Sequence, residues 1–297
     1  MSKSSSRVST DSFLLGLIGA GIQSSLTPAM HVREGLAQGL TCLYQLIDLD
    51  ELNLTVDALP DLLLSAERMG FTGLNITFPC KQRIIPLLDR LSQQAELLGS
   101  VNTVVFRDNK RVGHNTDSHG FSEAFRRDFA DVPRGQVLQL GAGGAGAAVA
   151  CALLGAGVEN LIVYDVDFER AEGLAQRLAH EFPTAHLAVA KEPSEAVASV
   201  QGIVNATPVG MAKMPGTPIR VDLLRPSLWV ADVIYFPAET ELLHAARALG
   251  CRTMNGAGMA VFQAVEAFHL FTGRRADSDR MQRHLRELCD GSINDRS

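Results

Sequence analysis

The sequence predicts an α/β protein of two domains, one a Rossmann-type doubly wound parallel sheet and the other an α/β substrate domain with a mostly parallel sheet. Three observations predict it. Short apolar runs alternate with helical patterns along most of the chain, at the spacing of βαβ units. A glycine-rich turn, GAGGAG at residues 141 to 146, falls between the apolar run VLQL and the helix-forming series AAVACALL. The 297 residues also exceed what a single hydrophobic core ordinarily serves.

The elements follow in order. FLLGLIG reads as a strand, a helix starts near Pro28, and CLYQLIDL reads as the next strand. A helix is predicted around residues 57 to 69, then the strand GLNITF, a helix from about Pro79, and two strands, VNTVVFRD and RVGHNTD, joined at the hairpin turn RDNKR. The second unit opens after ADVPRGQ with VLQL, the glycine turn and its Ala-rich helix. It continues through LIVYD, a helix over 168 to 181, HLAVA, GIVNAT and LWVADVIYF. βαβ spacing there implies right-handed parallel crossovers. After CRTMNGAG, Val261, Val265 and Phe268 recur on one helical face, and this last helix is expected to pack back on the first domain. The expected division is 1–117 plus 254–297 for the substrate-binding and catalytic domain, with 118–253 for the dinucleotide domain.

Composition narrows the function. Hydrophobic residues make up 46% and charged residues 20%, the balance of a soluble globular chain. A net charge of -6 carries no footprint for a polyanion, so no nucleic acid partner is expected. Five scattered cysteines (Cys42, Cys80, Cys151, Cys251, Cys289) contain no CxxC pair, which predicts reduced cytoplasmic thiols and no structural metal. The polar opening, residues 1–12, is expected to be disordered. The apolar stretch after it is too short and glycine-rich for an export signal. Residues 141–158 are uncharged over a length that suggests a membrane span, yet Gly and Ala make them only weakly apolar. A buried helix is expected there, with no membrane partner.

The glycine turn has a mechanical reading. Gly141 permits the tight turn, Gly143 lets the backbone approach a pyrophosphate, Gly146 allows helix–strand contact, and the helix N-terminus offers free N–H groups to phosphate. Asp165, at the close of LIVYD, is placed to accept hydrogen bonds from the adenosine ribose hydroxyls. With Asp167 and Glu169 close behind, a doubly negative 2′-phosphate is disfavoured, so NAD is preferred over NADP. Arg170 is the nearby residue that opposes this reading, since a guanidinium suits phosphate. The other glycine run, Gly16 to Gly21, lacks the spacing and does not open a helix at once.

NITFPCKQ, residues 75 to 82, sets Cys80 beside Lys81. Alcohol oxidation by NAD needs a base for the hydroxyl proton and no thiol, and a lysine can supply it where its surroundings favour the free amine. No histidine partner for Cys80 is apparent, so Cys80 is expected in the pocket wall. A surface lysine at a helix start is the bland alternative for Lys81, and the residues alone leave that open.

Seven motifs in order decide between them. They are SLTP at Ser25 to Pro28, NITFPCK at Asn75 to Lys81, VNT at Val101 to Thr103, NTD at Asn115 to Asp117, GAGGAG, NATPVGM at Asn205 to Met211, and QA at Gln263-Ala264. Together they resemble the shikimate and quinate dehydrogenase family over roughly residues 14 to 273. The resemblance implies that Lys81 and Asp117 form the acid/base pair, with Asn75, Thr77, Asn102 and Gln263 on the substrate ring. Ser25, Thr27 and Tyr235 would hold the substrate carboxylate, as hydroxyl donors can. Ser25 and Thr27 also suit capping of the helix at Pro28. Gly141, Gly143, Gly144, Ala145, Gly146, Asp165, Asn205, Thr207, Met211 and Gly258 would serve the cofactor.

Departures point within the family. Thr27 replaces the second serine of SxSP, and Asp165-Val166-Asp167 stands where biosynthetic members tend to carry the NRT run for NADP. Both resemble the catabolic NAD-dependent quinate/shikimate branch. His31-Val32 replaces a frequent HN, and His114 is expected to be a bystander. The implied activity is NAD-dependent oxidation of shikimate or quinate, a small-molecule carboxylic acid, by a monomer or homodimer. NADP-linked biosynthetic shikimate dehydrogenase, an enzyme for an amino-substituted analogue, and a non-catalytic NAD sensor are the competing readings.

Overall fold

A computed structural model describes residues 11–294. Its first half carries β1 (Ser12–Gly19), α1 (Thr27–Ala37), β2 (Thr41–Asp48), α2 (Leu59–Arg68), β3 (Gly73–Ile76), α3 (Cys80–Arg83), β4 (Arg90–Leu91), α4 (Gln93–Leu98), β5 (Thr103–Arg107), β6 (Lys110–His114) and α5 (Asp117–Asp128). The second carries β7 (Gln136–Leu140), α6 (Gly144–Gly155), β8 (Asn160–Tyr164), α7 (Phe168–Glu181), β9 (His186–Val189), α8 (Pro193–Val197), β10 (Gly202–Asn205), β11 (Trp229–Asp232), α9 (Glu241–Ala248), β12 (Arg252–Met254), α10 (Ala257–Thr272) and α11 (Ser278–Asn294). The expected disorder at the start lies outside the described residues over 1–10, whereas Ser12 already pairs with Thr41.

The strands form two six-stranded sheets. The first runs β2-β1-β3-β5-β6-β4, with β1 parallel to β2 and β3, β4 parallel to β6, and β5 antiparallel to both its neighbours. The antiparallel pair β5–β6 closes through Asp108 and Asn109, both at positive φ, the two-residue turn whose twist matches a hairpin. The second sheet runs β12-β11-β10-β7-β8-β9, every pair parallel. Its order reverses between β7 and β10, which opens the crevice at the carboxyl ends where doubly wound sheets take ligands.

Local sequence accounts for most boundaries. α2 buries Leu59, Leu63 and Ala66, one face at helical spacing. α4 begins with Ser92 accepting from Ala95 N–H and ends at left-handed Gly99. The helix expected from Pro79 lasts one turn as α3, because Pro86 has no N–H to donate to the carbonyl four residues back, and the chain goes on as a 3-10 turn at Ile85–Leu87. β4, α4, α8, α9, β12 and α11 are additional to the sequence expectation.

α6 is buried from Gly146 to Leu154, against Phe121, Phe125 and Val163 among others. Its apolar length is therefore core, and among the described residues no helix is long and apolar enough to cross a membrane. α10 returns to the first sheet, where Ala267 and Phe271 pack with Leu15 and Val105. It crosses α5 at backbone range. A Cβ on Gly120 would lie 2.6 Å from Met259 O, and one on Gly258 would lie 2.8 Å from Ala124 Cβ.

Candidate active site

Lys81 and Asp117 come together although 36 residues separate them: Nζ stands 2.5 Å from Oδ2. Lys81 sits in the single turn of α3, held by Val101 N–H donating to its carbonyl and by Cys80 N–H donating to Thr77 O. Asp117 opens α5, where a carboxylate meets the positive end of the helix dipole. Its backbone N–H donates to Asn115 Oδ1 at 3.0 Å, and its Oδ1 accepts from Asn102 Nδ2 at 2.9 Å. The lysine side chain keeps 19% of its exposure and the aspartate 8%, so the pair is open on the lysine side.

Cys80 points the other way. It is fully buried, and burial pushes its thiol up to about 11, so it is protonated at neutral pH and packs among Ile76, Ile84 and Val101.

The loop before α1 presents Ser25 and the first residue of that helix is Thr27, both half-buried. Ser25 Oγ accepts from Thr27 N–H at 3.4 Å, a weak version of the cap, while the N-cap position belongs to Leu26. Asp48 sets the loop's path. Burial opposes its charge, but N–H groups of Gly21, Ile22 and Asp50 and the Gln23 amide hold its carboxyl below the usual range. Tyr235, on the loop after β11, faces Ser25 from the second sheet; burial and the Cys289 thiol push its phenol up, and Ser25 partly offsets them.

The remaining residues expected on the substrate ring divide. Thr77 lies against Gly19 at the end of β1. Gln263 sits on α10 where that helix meets Gly120 of α5, one turn beyond Asp117, and donates to Ala260 O. Asn75 is committed within the protein, accepting from Tyr44 Oη at 2.7 Å and donating to Thr103 Oγ1 at 3.2 Å. Asn102 is committed too, to Thr116 and Asp117.

The glycine turn adjoins this pair. A Cβ on Gly144 would stand 3.4 Å from Lys81 Cδ and 2.9 Å from Ser100 Oγ, a buried hydroxyl with no hydrogen-bond partner among the described residues. Gly141 has φ +100, and a Cβ on Gly146 would fall 2.2 Å from Gly141 O, the close helix–strand contact expected of it. Among the described residues, nothing beyond its chain neighbours and its own helix lies within 4 Å of a Cβ on Gly143, and α6 begins there with no side-chain cap. Open space before uncapped N–H groups fits a dinucleotide pyrophosphate. Ala145 is half-buried on the same turn.

Asp165 Oδ2 accepts from Ala142 N–H at 2.7 Å, and Oδ1 accepts from Asp167 N–H at 2.9 Å. Arg170 bridges Asp165 at 3.4 Å and Asp167 at 3.0 Å. Asn205 and Thr207 bond each other beside Gly141, and Met211 stands 43% exposed beyond them. Gly258 sits at the α5–α10 crossing.

Residues 17–104 match the profile of the shikimate dehydrogenase substrate binding domain, and residues 256–286 that of the shikimate 5'-dehydrogenase C-terminal domain. A shikimate dehydrogenase (NADP(+)) of Streptomyces avermitilis is 53% identical over 94% of this chain and 97% of its own. The chain belongs to the shikimate/quinate dehydrogenase family. A quinate/shikimate dehydrogenase (NAD(+)) of Corynebacterium efficiens is 49% identical over 92% of this chain and 97% of its own. The solved quinate dehydrogenase of Corynebacterium glutamicum in complex with NAD has a TM-score of 0.85 and 46% identity, covering 93% of this chain and 99% of that one. As a shikimate/quinate dehydrogenase the chain is an oxidoreductase, and both cofactor types occur among these relatives.

Two buried acids that anchor loops beside the candidate site, Asp48 and Asp232, escape the sequence reading. The available signal was a carboxylate inside an apolar run, DL at the end of CLYQLIDL and D within LWVADVIYF.

Proposed function

We propose that this chain oxidises the ring hydroxyl of shikimate or quinate with NAD, giving 3-dehydroshikimate or 3-dehydroquinate, with Lys81 and Asp117 as the acid/base pair. The observation that carries it is the Lys81–Asp117 contact lying against the first turn of α6. A bound nicotinamide would accept the hydride from the carbinol carbon. Lys81 Nζ would take the hydroxyl proton, and Asp117, fixed by Asn102 and Asn115, would hold the amine at its post. Ser25, Thr27 and Tyr235 would grip the carboxylate, with Thr77 and Gln263 at ring hydroxyls. Gly143 to Gly146 would hold the cofactor's pyrophosphate, and Asp165 would accept from its adenosine ribose hydroxyls.

NAD is preferred on electrostatic grounds. Arg170, the cation nearest Asp165, already bridges two carboxylates, so a 2′-phosphate would meet net negative charge. The expected division remains 1–117 plus 254–297 and 118–253, supported by β1–β6 and β7–β12 keeping to separate sheets and by α10 packing on the first.

The test is reduced-cofactor formation with shikimate and quinate, each against NAD and NADP. NAD turnover exceeding NADP turnover supports the reading. A clear NADP preference assigns the biosynthetic type, and cofactor binding without turnover of either acid assigns the sensor.

A further inference from the structure

Asn205 and Asp232 are the last residues of β10 and β11 and partners in register across that parallel pair. Both side chains are buried, at the carboxyl edge of the sheet. Asp232 Oδ1 accepts from Ile234 N–H at 3.0 Å and from Asn205 Nδ2 at 3.1 Å, and Oδ2 accepts from Thr240 Oγ1 at 2.8 Å. Thr240 Oγ1 itself accepts from Leu243 N–H at the start of α9, which leaves its proton for the carboxylate. Every partner of Asp232 is thus a donor, and an ionised carboxylate satisfies all three although burial pushes its pKa up.

Two loops hang from this acid. On one side, Asn205 Oδ1 accepts from Thr207 N–H at 3.0 Å and Thr207 Oγ1 at 2.7 Å, and Asn205 Nδ2 also donates to Val209 O. That fixes the turn that lies against Gly141 through Ala206 and Thr207 and leads on to Met211. On the other side, the Ile234 amide immediately precedes Tyr235, and Ile234 O accepts from Gly256 N–H just before α10.

We infer that Asp232 is a positioning residue for both ligands: through Asn205 it sets the Thr207–Met211 loop on the cofactor side, and through the Ile234 amide it sets Tyr235 at the substrate carboxylate. This rests on the proposed assignment of those two loops. Removing the carboxylate takes the acceptor from the Ile234 amide, the Asn205 side-chain amide and the Thr240 hydroxyl, and each loop loses the same anchor.

The test uses the full chain, with the NAD dissociation constant from calorimetric titration and the shikimate KM at saturating NAD. Asp232→Ala is expected to raise both constants by roughly tenfold or more, with a smaller change in kcat. Asp232→Asn keeps an acceptor for Ile234 and Asn205 and can donate to Thr240, so both constants should stay within about threefold of the parent. A purely architectural role would lower the stoichiometry of competent sites and leave the constants unchanged in Asp232→Ala; that result, or a rise in one constant alone, overturns the inference. Should Asp232→Ala not fold, Asn205→Asp sets a second carboxylate against Asp232 and should raise both constants, and Asn205→Asp with Asp232→Asn should recover most of the loss. No recovery in the double variant also overturns it. Failure of the parent protein to bind NAD and NADP would instead sink the functional assignment, and is read before any variant.

Discussion

Asn102 points both side-chain N–H groups at the end of α5, standing 2.9 Å from Asp117 Oδ1 and 2.9 Å from Thr116 Oγ1, while its own oxygen accepts from Thr116 N–H at 2.8 Å. The motif that suggested a substrate contact thus also builds the acid of the pair. Asn102→Ala should lower kcat by roughly tenfold to a hundredfold, the worth of an unsatisfied buried group of about 1–3 kcal/mol. Asn102→Asp, which faces one carboxylate with another, should be worse. Steady-state kinetics in which KM rises and kcat holds would return Asn102 to a purely substrate-binding role.

Lys81 and Cys80 are neighbours with opposite fates. Lys81→Ala should cut kcat by roughly 10² to 10⁴-fold, the usual contribution of a positioned acid/base group. Cys80→Ser should leave kcat near that of the parent, because the thiol is protonated and buried. The opposite ranking in the same assay would retire the acid/base assignment.

Gly143 and Gly146 separate binding from folding. A Cβ on Gly143 meets nothing among the described residues beyond its chain neighbours and its own helix, so Gly143→Ala should keep its unfolding midpoint and weaken the cofactor by roughly tenfold or more. A Cβ on Gly146 would stand 2.2 Å from Gly141 O, so Gly146→Ala should lose about 1–3 kcal/mol of stability through overpacking. Thermal melts and cofactor titration of the two variants check the contrast.

His31 makes stability depend on acid. Burial lowers its pKa from 6.5 to about 4, against the opposing pull of the Thr27 carbonyl and Glu34. Between those values the unfolded chain binds a proton that the folded one refuses, so this residue lowers stability as pH falls from 6.5 and stops doing so near 4. The gap is worth roughly 3 kcal/mol. Urea unfolding from pH 7 to 4 should show this decline, and His31→Gln should flatten it; an equal slope in the variant would remove His31 as the cause.

What could be read from the one-dimensional chain was whatever repeats locally or needs a particular residue for backbone reasons. The period-2 and helical patterns placed most elements, including the helix over 168 to 181, which runs Phe168–Glu181. The glycine turn was legible because φ +100 at Gly141 and the packing at Gly146 exclude any side chain. Short pieces such as β4 and α8 were not, because two to five residues carry too little periodicity to register.

Side-chain partnership was decided by tertiary structure alone. Motif order nominated Lys81, Asp117 and Asn102, but only the meeting of α3 with the segment before β5 and with the start of α5 shows which oxygen each nitrogen meets. Asp48 and Asp232 are single acids in apolar strand runs; their partners, a loop of N–H groups and an in-register asparagine, lie on segments the sequence does not join. A hydrogen bond acts over about 3 Å, and chain order says nothing of proximity at that scale once strands cross over and a helix returns from the far end.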